Sequence, residues 1–371
     1  MNKWTYTTLG KISEIITGPF GSQLHQSDYV EQGIPVVMPQ DIDNRRVNYA
    51  SINYVSNEDA IRLERYKTII NDILYARRGD VEKHAFIKEK DNGVLCGTGC
   101  LRVRITTSEV EPEFISFFLN REETRKWLVT QAVGTNMPNM NTYILSGIPI
   151  AYPLLEEQRK IVQVLNSLDE KIALNNAVND NLEQQMHLIF ENMMAKAATH
   201  KLSGEYTIAQ NLATVVTGKE DANFSVPNGK YKFFTCSNTP LLCDEYVFDS
   251  SSILIAGNGD FNVKHYSGKF NAYQRTYILT PDKKYFGLLY LASLYRINSF
   301  KSRSSGSIVK FITKSDVENI PVFIPNDMFY LQELNKLIYL QEQNKLENEL
   351  LVNLRDWLLP MLMNGQATIS D

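Results

Sequence analysis

The chain makes the same transition from a strand-like run to a helical run twice, and this repetition most constrains its fold. The first copy, GIPIAYPLLEEQRKIVQVL, occupies residues 147–165, and the second, NIPVFIPNDMFYLQELNKLIYL, occupies residues 319–340. Pro149 of the first copy aligns with Pro321 of the second, 172 residues later. In both copies an apolar run bounded by prolines precedes a helical pattern. Such a chain is predicted to contain two copies of one structural module.

The repetition extends over most of the chain. It includes a segment near the start of each half, a strand-like run that ends in Gly-Asp, and one helical run. The matched segments are residues 9–18 with 209–218, 71–80 with 251–260, and 113–119 with 285–291. The separation falls from 200 to 172 residues along the chain, a difference of 28. The two modules therefore share their ends and differ in their middles.

Each module is predicted to mix strands and helices. Residues 33–39, 68–76 and 99–106 are rich in β-branched and apolar residues and are separated by turn signals. Residues 112–131 instead carry large apolar side chains at helical spacing, which favours core packing over stacking on a nucleic-acid base. These side chains belong to Phe114, Phe117, Phe118, Trp127 and Leu128.

A long helix with a coiled-coil pattern is predicted after each module. Apolar and amide residues recur at alternating steps of four and three from Ile161, and again from Leu337 to Pro360, where the second helix is expected to stop. A helix over residues 156–196 would be about 60 Å long. Both patterns turn polar midway, which fixes the register of a helix pair, so we expect the two helices to pair with each other. The predicted seam residues, which face the partner helix, are Ile161, Leu165, Leu168, Ile172, Asn175, Asn179, Leu182, Leu337, Leu340, Asn344, Leu351 and Leu354.

Two modules held by an antiparallel helix pair would lie tens of ångströms apart, related by a pseudo-twofold axis. Duplex DNA is the commonest ligand that offers two separated sites of near-twofold symmetry. The net charge of −4 does not oppose this ligand, because the acidic excess lies on the predicted helices. Residues 156–196 and 326–371 together carry −7, so the rest of the chain carries +3.

Composition excludes several other classes of protein. A content of 43% hydrophobic and 22% charged residues is ordinary for a globular chain of 371 residues. No apolar run approaches the roughly 20 residues of a membrane span, and the opening MNKWTYTTLGKISEI lacks the apolar core of a signal peptide. The four cysteines do not suggest a disulfide scaffold. We therefore expect a cytoplasmic protein without membrane contacts.

The chain also lacks the motifs of a catalyst. It has no G-x-x-x-x-G-K-[ST] loop, and we interpret CGTGC at 96–100 and AGNGD at 256–260 as turns. The string SSGS at 304–307 lacks the flanking pattern of a nucleophile elbow. Cysteines and histidines show no zinc-ligand or triad spacing, which favours buried thiols over a metal site. We predict a non-catalytic chain with no metal or cofactor of its own.

Basic and amide residues recur in turn-rich connections at related places of both modules. Arg pairs with guanine and Asn or Gln with adenine, while Lys, Ser and Thr mostly hold phosphates. A single such residue is more often an ordinary solvated side chain, but the recurrence supports a shared binding role. The candidate DNA contacts of the first module are Ser22, Gln23, His25, Arg45, Arg46, Arg77, Arg78, Lys83, His84, Asn136 and Asn139. Those of the second module are Lys219, Asn223, Asn258, Asn262, Lys264, His265, Gln274, Arg275, Lys301, Arg303 and Ser305.

Three motifs carry a resemblance to a known family. They are the opening ITGPFGSQL, the run NDILYARRGD at 71–80, and the block at 134–172 in which a final strand leads into a Glu-Glu-Gln helix. With these motifs the chain resembles, over nearly its whole length, the specificity subunit of type I restriction–modification systems. The second half matches more loosely, because LQEL at 331–334 stands in place of the Glu-Glu-Gln motif. That difference leaves the start of the second helix open.

The repeat and the resemblance together predict an α+β fold. Two mixed α/β target-recognition domains, related by a pseudo-twofold repeat, would be separated by two long antiparallel coiled-coil helices. The expected boundaries are 1–153 for the first domain, 154–198 for the central spacer helix, 199–325 for the second domain and 326–371 for the C-terminal spacer helix. The resemblance implies that each domain reads one half of an asymmetric bipartite site in double-stranded DNA, and that the helices set the gap between the halves.

The resemblance also implies partners that carry the chemistry. Two modification subunits, which bind S-adenosylmethionine and methylate adenine, would dock on the helices. Restriction subunits, which use ATP and Mg²⁺ to translocate along DNA and cleave it, would join them. One alternative is a scaffold or decoy that binds the modification subunits without reading DNA. A second is a fragment of a fused methyltransferase, although NMPNMN at 136–141 does not have the order of an Asn-Pro-Pro-Tyr loop.

Overall fold

The computed structural model describes residues 4–131, 139–259, 261–303 and 311–369, without the side chains of 300–303. The chain divides into two compact units. The first unit contains residues 1–170 and 351–371, and the second contains residues 171–350. The first unit is therefore made of two segments that are distant in sequence, whereas the second is one continuous segment.

The first unit combines short strands with short helices. Its elements are β1 (Thr5–Thr8), α1 (Leu9–Ile12), β2 (Ser13–Thr17), β3 (Tyr29–Val30), β4 (Ile34–Val37), β5 (Ile42–Asp43), β6 (Arg46–Val47), β7 (Asn53–Val55), α2 (Asn57–Arg62), β8 (Ile73–Ala76), β9 (His84–Phe86), β10 (Leu95–Cys96), β11 (Cys100–Ile105), α3 (Pro112–Leu119), α4 (Glu122–Gln131), α5 (Thr142–Ser146), β12 (Pro149–Tyr152) and the start of α6 (Leu155–Ala198). The strands form four-stranded sheets in the orders β2-β11-β8-β9 and β10-β4-β7-β3, and the two-stranded pairs β1-β12 and β5-β6. One core lies where the first of these sheets meets α3 and α6.

The second unit has longer strands in fewer sheets. Its elements after α6 are β13 (Gly204–Ile208), β14 (Ala213–Thr217), β15 (Tyr231–Phe234), β16 (Leu241–Cys243), β17 (Phe248–Ala256), β18 (Val263–Ala272), β19 (Thr276–Pro281), α7 (Phe286–Arg303), α8 (Lys314–Glu318), β20 (Pro321–Pro325) and α9 (Met328–Met363). The strands form a six-stranded sheet in the order β14-β19-β17-β18-β15-β16 and the pair β13-β20.

The predicted repeat is confirmed in the strand order. The first unit's sheet β2-β11-β8-β9 has the same connectivity as β14-β19-β17-β18 of the second unit, and the antiparallel pair β1-β12 corresponds to β13-β20. The middles differ as expected. The first unit forms a separate sheet from β10 and from the strands β3, β4 and β7, which lie between β2 and β8, whereas the second unit adds β15 and β16 to the edge of its main sheet. The predicted mixed fold with a long helix between two related regions is therefore confirmed.

The aromatic stripe lies in the core, but its helix is not continuous. Phe114, Phe117 and Phe118 are at most 2% exposed. The expected single helix over 112–131 instead ends at Leu119, and α4 begins at Glu122. The Thr124 hydroxyl donates to the Phe118 carbonyl (3.2 Å), which satisfies a carbonyl that the ending helix leaves without a partner.

In the first unit the starting part of α6 packs against the end of α9. Ile161 and Leu165 are buried together with Leu359 and Leu362. Asp169, further along α6, accepts a hydrogen bond from Arg355 at 3.0 Å. Because contacts advance along α6 while they retreat along α9, this pairing is antiparallel.

In the second unit the two helices pair through a polar ladder followed by an apolar seam. Asn175 donates to Glu347 (2.7 Å), and Asn344 donates to the side-chain oxygen of Asn179 (2.9 Å). Leu182 then joins a buried cluster that includes Leu337. The pairing is again antiparallel. The predicted polar middle of the seam is confirmed, and the satisfied amides fix the register as expected.

Two of the predicted seam positions of the C-terminal helix are wrong, and so is its predicted end. Leu340 and Leu354 are 41% and 44% exposed, and the seam positions are taken by their neighbours Gln341 and Arg355. Helix α9 also continues through Pro360 to Met363. Only three residues of the helix follow Pro360, so the hydrogen bond it cannot make and the crowding by its ring disturb only the last turns. Leu168, Ile172 and Leu351 are half-buried, and their place in the seam stays a prediction.

Two repeated glycines are required by close packing. A Cβ on Gly18 would lie 2.2 Å from the Gly97 carbonyl oxygen, and a Cβ on Gly218 would lie 2.2 Å from that of Ala272. No atom lies within 4 Å of a Cβ on Gly21.

We expect Gly18→Ala to lower the free energy of unfolding of the first unit by about 1–3 kcal/mol and Gly21→Ala to change it by less than about 0.5 kcal/mol. Urea unfolding followed by tryptophan fluorescence measures both, and equal effects would contradict the packing argument.

Candidate nucleic-acid interface

Four connections of the first unit meet at one edge of its main sheet. Strands β2 and β8 end there and β11 begins there, because β11 is antiparallel to both. The Gly18 amide donates to the Cys100 carbonyl (3.0 Å), the Arg77 amide to that of Gly99 (2.7 Å), and the Met140 amide to that of Arg77 (2.9 Å). We call this the first loop edge, made of Gly18, Arg77–Arg78, residues 97–99 and residues 139–140.

The second unit builds the same edge with the same backbone hydrogen bonds. The Gly218 amide donates to the Thr276 carbonyl (3.0 Å), the Gly257 amide to that of Arg275 (2.8 Å), and the Ile312 amide to that of Gly257 (2.9 Å). We call this the second loop edge, made of residues 218–220, 257–258, 274–276 and 312. In the sequence repeat Asn258 stands where the first unit has Arg78. The two edges thus share a backbone frame and present different side chains.

Several predicted residues are exposed at or near the first loop edge. Arg78 and Asn139 face each other in an isolated β-bridge, and both side chains are exposed. Arg77 is half-buried, and its Nε has no hydrogen-bond partner among the described residues. Lys83 is exposed and pairs with Asp80 at 2.7 Å. The segment that follows the strand ending at Thr17 contains three further exposed candidates, Ser22, Gln23 and His25.

The second loop edge also brings predicted residues together. Lys219, Asn223, Gln274 and Arg275 are exposed, and Asn258 is half-buried. The Gln274 side chain donates to Asp221 at 2.8 Å.

Asn262 and Lys264 bind a neighbouring loop of the second unit. Asn262 donates to the Cys236 carbonyl (2.8 Å), and the Lys264 ammonium donates to the Ser237 carbonyl. Burial lowers the pKa of Lys264 to about 8, so most of its charge remains at neutral pH. Sequence analysis missed this loop: Ser237, Asn238 and Thr239 are exposed polar residues of the run TCSNT between two strands. Such a run is a signal that could have been used.

Three predicted DNA contacts are corrected by their burial. The Arg45 side chain is 8% exposed and pairs with Asp169 at 3.0 Å. His84 is 2% exposed, its Nε2 contacts the Ser116 carbonyl at 3.0 Å, and burial lowers its pKa to about 3. The His265 side chain is 2% exposed and lies 3.0 Å from Glu342. These side chains already have protein partners and cannot reach a groove in this structure.

The remaining candidates fall into two groups. Arg46 is exposed but lies away from the loop edge, since its guanidinium donates to the Asp169 carbonyl of α6 at 3.3 Å. Asn136 and Ser305 lie outside the described residues, as do the side chains of Lys301 and Arg303. The cysteines follow the prediction for thiols: Cys96, Cys100 and Cys243 are buried and free, and Cys236 is half-buried.

Comparison with known proteins agrees with this repeated architecture. Residues 1–184 and 212–352 match the family described as the type I restriction modification DNA specificity domain. The match covers most of both units, and the chain belongs to this family. Within the described part of the chain, no helix is long and apolar enough to cross a membrane.

Individual relatives cover different shares of the chain. The Escherichia coli type I restriction enzyme EcoDI specificity subunit is 35% identical over 164 residues, which are 42% of this chain and 37% of that protein. The putative MjaX specificity subunit of Methanocaldococcus jannaschii is 23% identical over 87% of this chain and 83% of its own length. The crystal structure of a type I restriction–modification S subunit from M. genitalium superposes with a TM-score of 0.64 at 17% identity, covering 97% of this chain and 96% of that one. This likeness concerns the fold.

Proposed function

We propose that this chain is the DNA-reading specificity subunit of a type I restriction–modification complex. The observation that carries the proposal is the repeated loop edge, in which one backbone frame presents Arg78 in one unit and Asn258 in the other. Arg and Asn favour different bases, so two copies with different side chains suit two different half-sites. Membership of the DNA specificity domain family supports the same role.

Binding would divide between phosphate and base contacts. Exposed lysines and hydroxyl groups near both loop edges would hold phosphates and make the affinity strongly salt-dependent. Arg and amide side chains at the edges would discriminate bases, each good bidentate pair contributing roughly 1–3 kcal/mol. In this proposal, residues 1–153 and 199–325 are the target-recognition domains.

The chain itself would catalyse no reaction. We infer that the helices within 154–198 and 326–371 set the gap between half-sites and dock two modification subunits. Those subunits would supply S-adenosylmethionine and adenine methylation, and restriction subunits would supply ATP- and Mg²⁺-dependent cleavage. The complex would work in the cytoplasm, where bacterial and archaeal DNA is found.

The proposal is tested by mapping methylated adenine with long-read sequencing in cells that express this chain with its cognate modification subunit. Cells without this chain are the control. We expect a bipartite motif with a fixed gap that depends on the chain. A stable co-purifying complex without new methylation would overturn DNA reading and favour the scaffold.

Single substitutions should separate the two half-sites. We expect Arg78→Ala to weaken binding of the complex to its DNA target by about 5- to 100-fold, with relaxed discrimination in the first half-site only. Asn258→Ala should act in the same way on the second half-site. Arg65→Ala, which removes an exposed arginine outside both loop edges, is the matched control and should change affinity by less than about twofold. Competition binding at fixed salt measures these effects, and wild-type affinity in both loop-edge variants would exclude these edges as the contact surface.

A further inference from the structure

The first unit contains a cavity that shares no lining residue with the first loop edge. It has a volume of about 370 Å³ and lies beside the strand pair β1-β12 and the ends of α3 and α9. Its walls include the aromatic residues Trp4, Tyr6 and Phe118, and its polar side chains are those of Thr7, Arg121 and Asn364. Small-molecule sites typically have volumes of about 300–1,000 Å³ and combine apolar walls with a few polar groups. The cavity fits that description.

The Arg121 guanidinium is held in place but is not neutralised. Its Nη1 donates to Asn364 at 2.6 Å, and its plane lies 3.7 Å over the Phe118 ring. Among the described residues no carboxylate is within ion-pair distance of it, its Nε is buried without a hydrogen-bond partner, and its Nη2 makes no hydrogen bond. Burial lowers its pKa, and Glu123 offsets this effect only in part. A cation fixed in this way has donors available for an anion.

The second unit provides an internal comparison, because its corresponding place is filled. In β1-β12, Tyr6 is directly opposite Ala151, which lines the cavity. In β13-β20, Tyr206 is directly opposite Phe323, and the two rings are 5.1 Å apart. Phe323 is 5% exposed. Side chains directly opposite each other on an antiparallel pair share one face, so a large ring occupies in one unit the space that alanine leaves open in the other.

The charged group also differs between the units. The repeat aligns Arg121 with Ser293, which is fully buried and uncharged. The first unit thus has both an open space and a cation where the second unit has neither. Packing alone needs no such combination, since an open cavity forfeits dispersion contacts and a half-buried cation loses hydration.

We propose that this cavity is a binding site for a small ligand that carries an anionic group on an aromatic ring. The ring would pack against Trp4 and Tyr6, and the anion, a carboxylate or a phosphate monoester, would accept hydrogen bonds from Arg121. This site is separate from DNA reading and does not depend on it. An anion that binds Arg121 in the folded chain would also stabilise the first unit.

The test is ligand-observed NMR titration of the full chain, in its modification complex if required for solubility, with benzoate and phenyl phosphate as probes. We expect saturable binding of at least one probe, and the tighter of the two identifies the anion as carboxylate or phosphate. Benzamide, a neutral probe of similar shape, should bind at least about tenfold more weakly, because charge-assisted hydrogen bonds are the stronger ones.

Two variants remove the site by different routes. Ala151→Phe copies the residue that fills the second unit, and Arg121→Met removes the cation while keeping an apolar side chain. We expect each to weaken probe binding by at least about tenfold. Phe323→Ala is the matched control, because it opens space in the second unit without a cation, and it should leave probe binding unchanged. No saturable binding, equal binding of benzamide, or wild-type binding by the folded Ala151→Phe variant would overturn the proposal.

Discussion

Inserting one heptad into both long helices is expected to lengthen the gap in the recognised DNA, whereas inserting it into one helix should abolish methylation. The insertions would follow Ile172 in α6 and Leu350 in α9, equally far from the hydrogen-bonded pair Asn175–Asn348, which are 2.9 Å apart. Seven residues add about 10 Å of helix and keep the heptad seam in phase. At about 3.4 Å per base pair, the gap would grow by up to about 3 base pairs.

A single insertion has a different physical consequence. It shifts one helix by a heptad against the other on one side of the insertion, so the hydrogen bonds of Asn175 and Asn179 can no longer form together with the ion pair between Asp169 and Arg355. The control is a substitution of seven exposed positions of α6 by alanine at constant length, which should leave the gap unchanged. Long-read mapping of methylated adenine gives the gap directly. An unchanged gap after matched insertion would show that the helices do not set the spacing.

Removing the carboxylate of Asp169 is expected to lower the free energy of unfolding of the first unit by about 3–5 kcal/mol, the usual cost of breaking a buried ion pair. Asp169 accepts from Arg45 and from Arg355, each at 3.0 Å. The Arg45 side chain is only 8% exposed, and its guanidinium lies 3.4 Å over the Phe117 ring. In Asp169→Ala the Arg45 cation would stay buried, and its remaining carboxylate partner would be the more distant Glu113, 3.7 Å away.

Tryptophan fluorescence makes this measurement specific to the first unit. All three tryptophans, Trp4, Trp127 and Trp357, belong to that unit. Glu170→Ala, at the exposed neighbouring position, is the matched control and should cost less than about 0.5 kcal/mol. Urea unfolding of both variants gives the comparison. A loss below about 1 kcal/mol in Asp169→Ala would mean that water hydrates the Arg45 guanidinium or that another carboxylate pairs with it.

The repeated elements were predictable because their signals are local. Prolines that bound a strand, a Gly-Asp turn after an apolar run, and a heptad pattern each depend on residues a few positions apart. The same periodicity failed at Leu340 and Leu354, where adjacent positions can both be assigned to a seam. The structure selected Gln341 and Arg355 there because they find partners in Glu183 and Asp169, which lie far away in the chain.

The sequence by itself determined the two-module plan, the mixed strands and helices of each module, the two long helices and their polar middle. Only the tertiary structure decided which polar residues are available. Three candidates that lie among turn signals, as Arg78 does, are nevertheless buried against protein partners. They are Arg45 with Asp169, His84 with Ser116, and His265 with Glu342. The cavity beside Ala151 could not be predicted from the sequence either, because it depends on Arg121 and Asn364 meeting in space. Burial is a property of contacts between distant segments, and no local pattern encodes which segment will cover a given side chain.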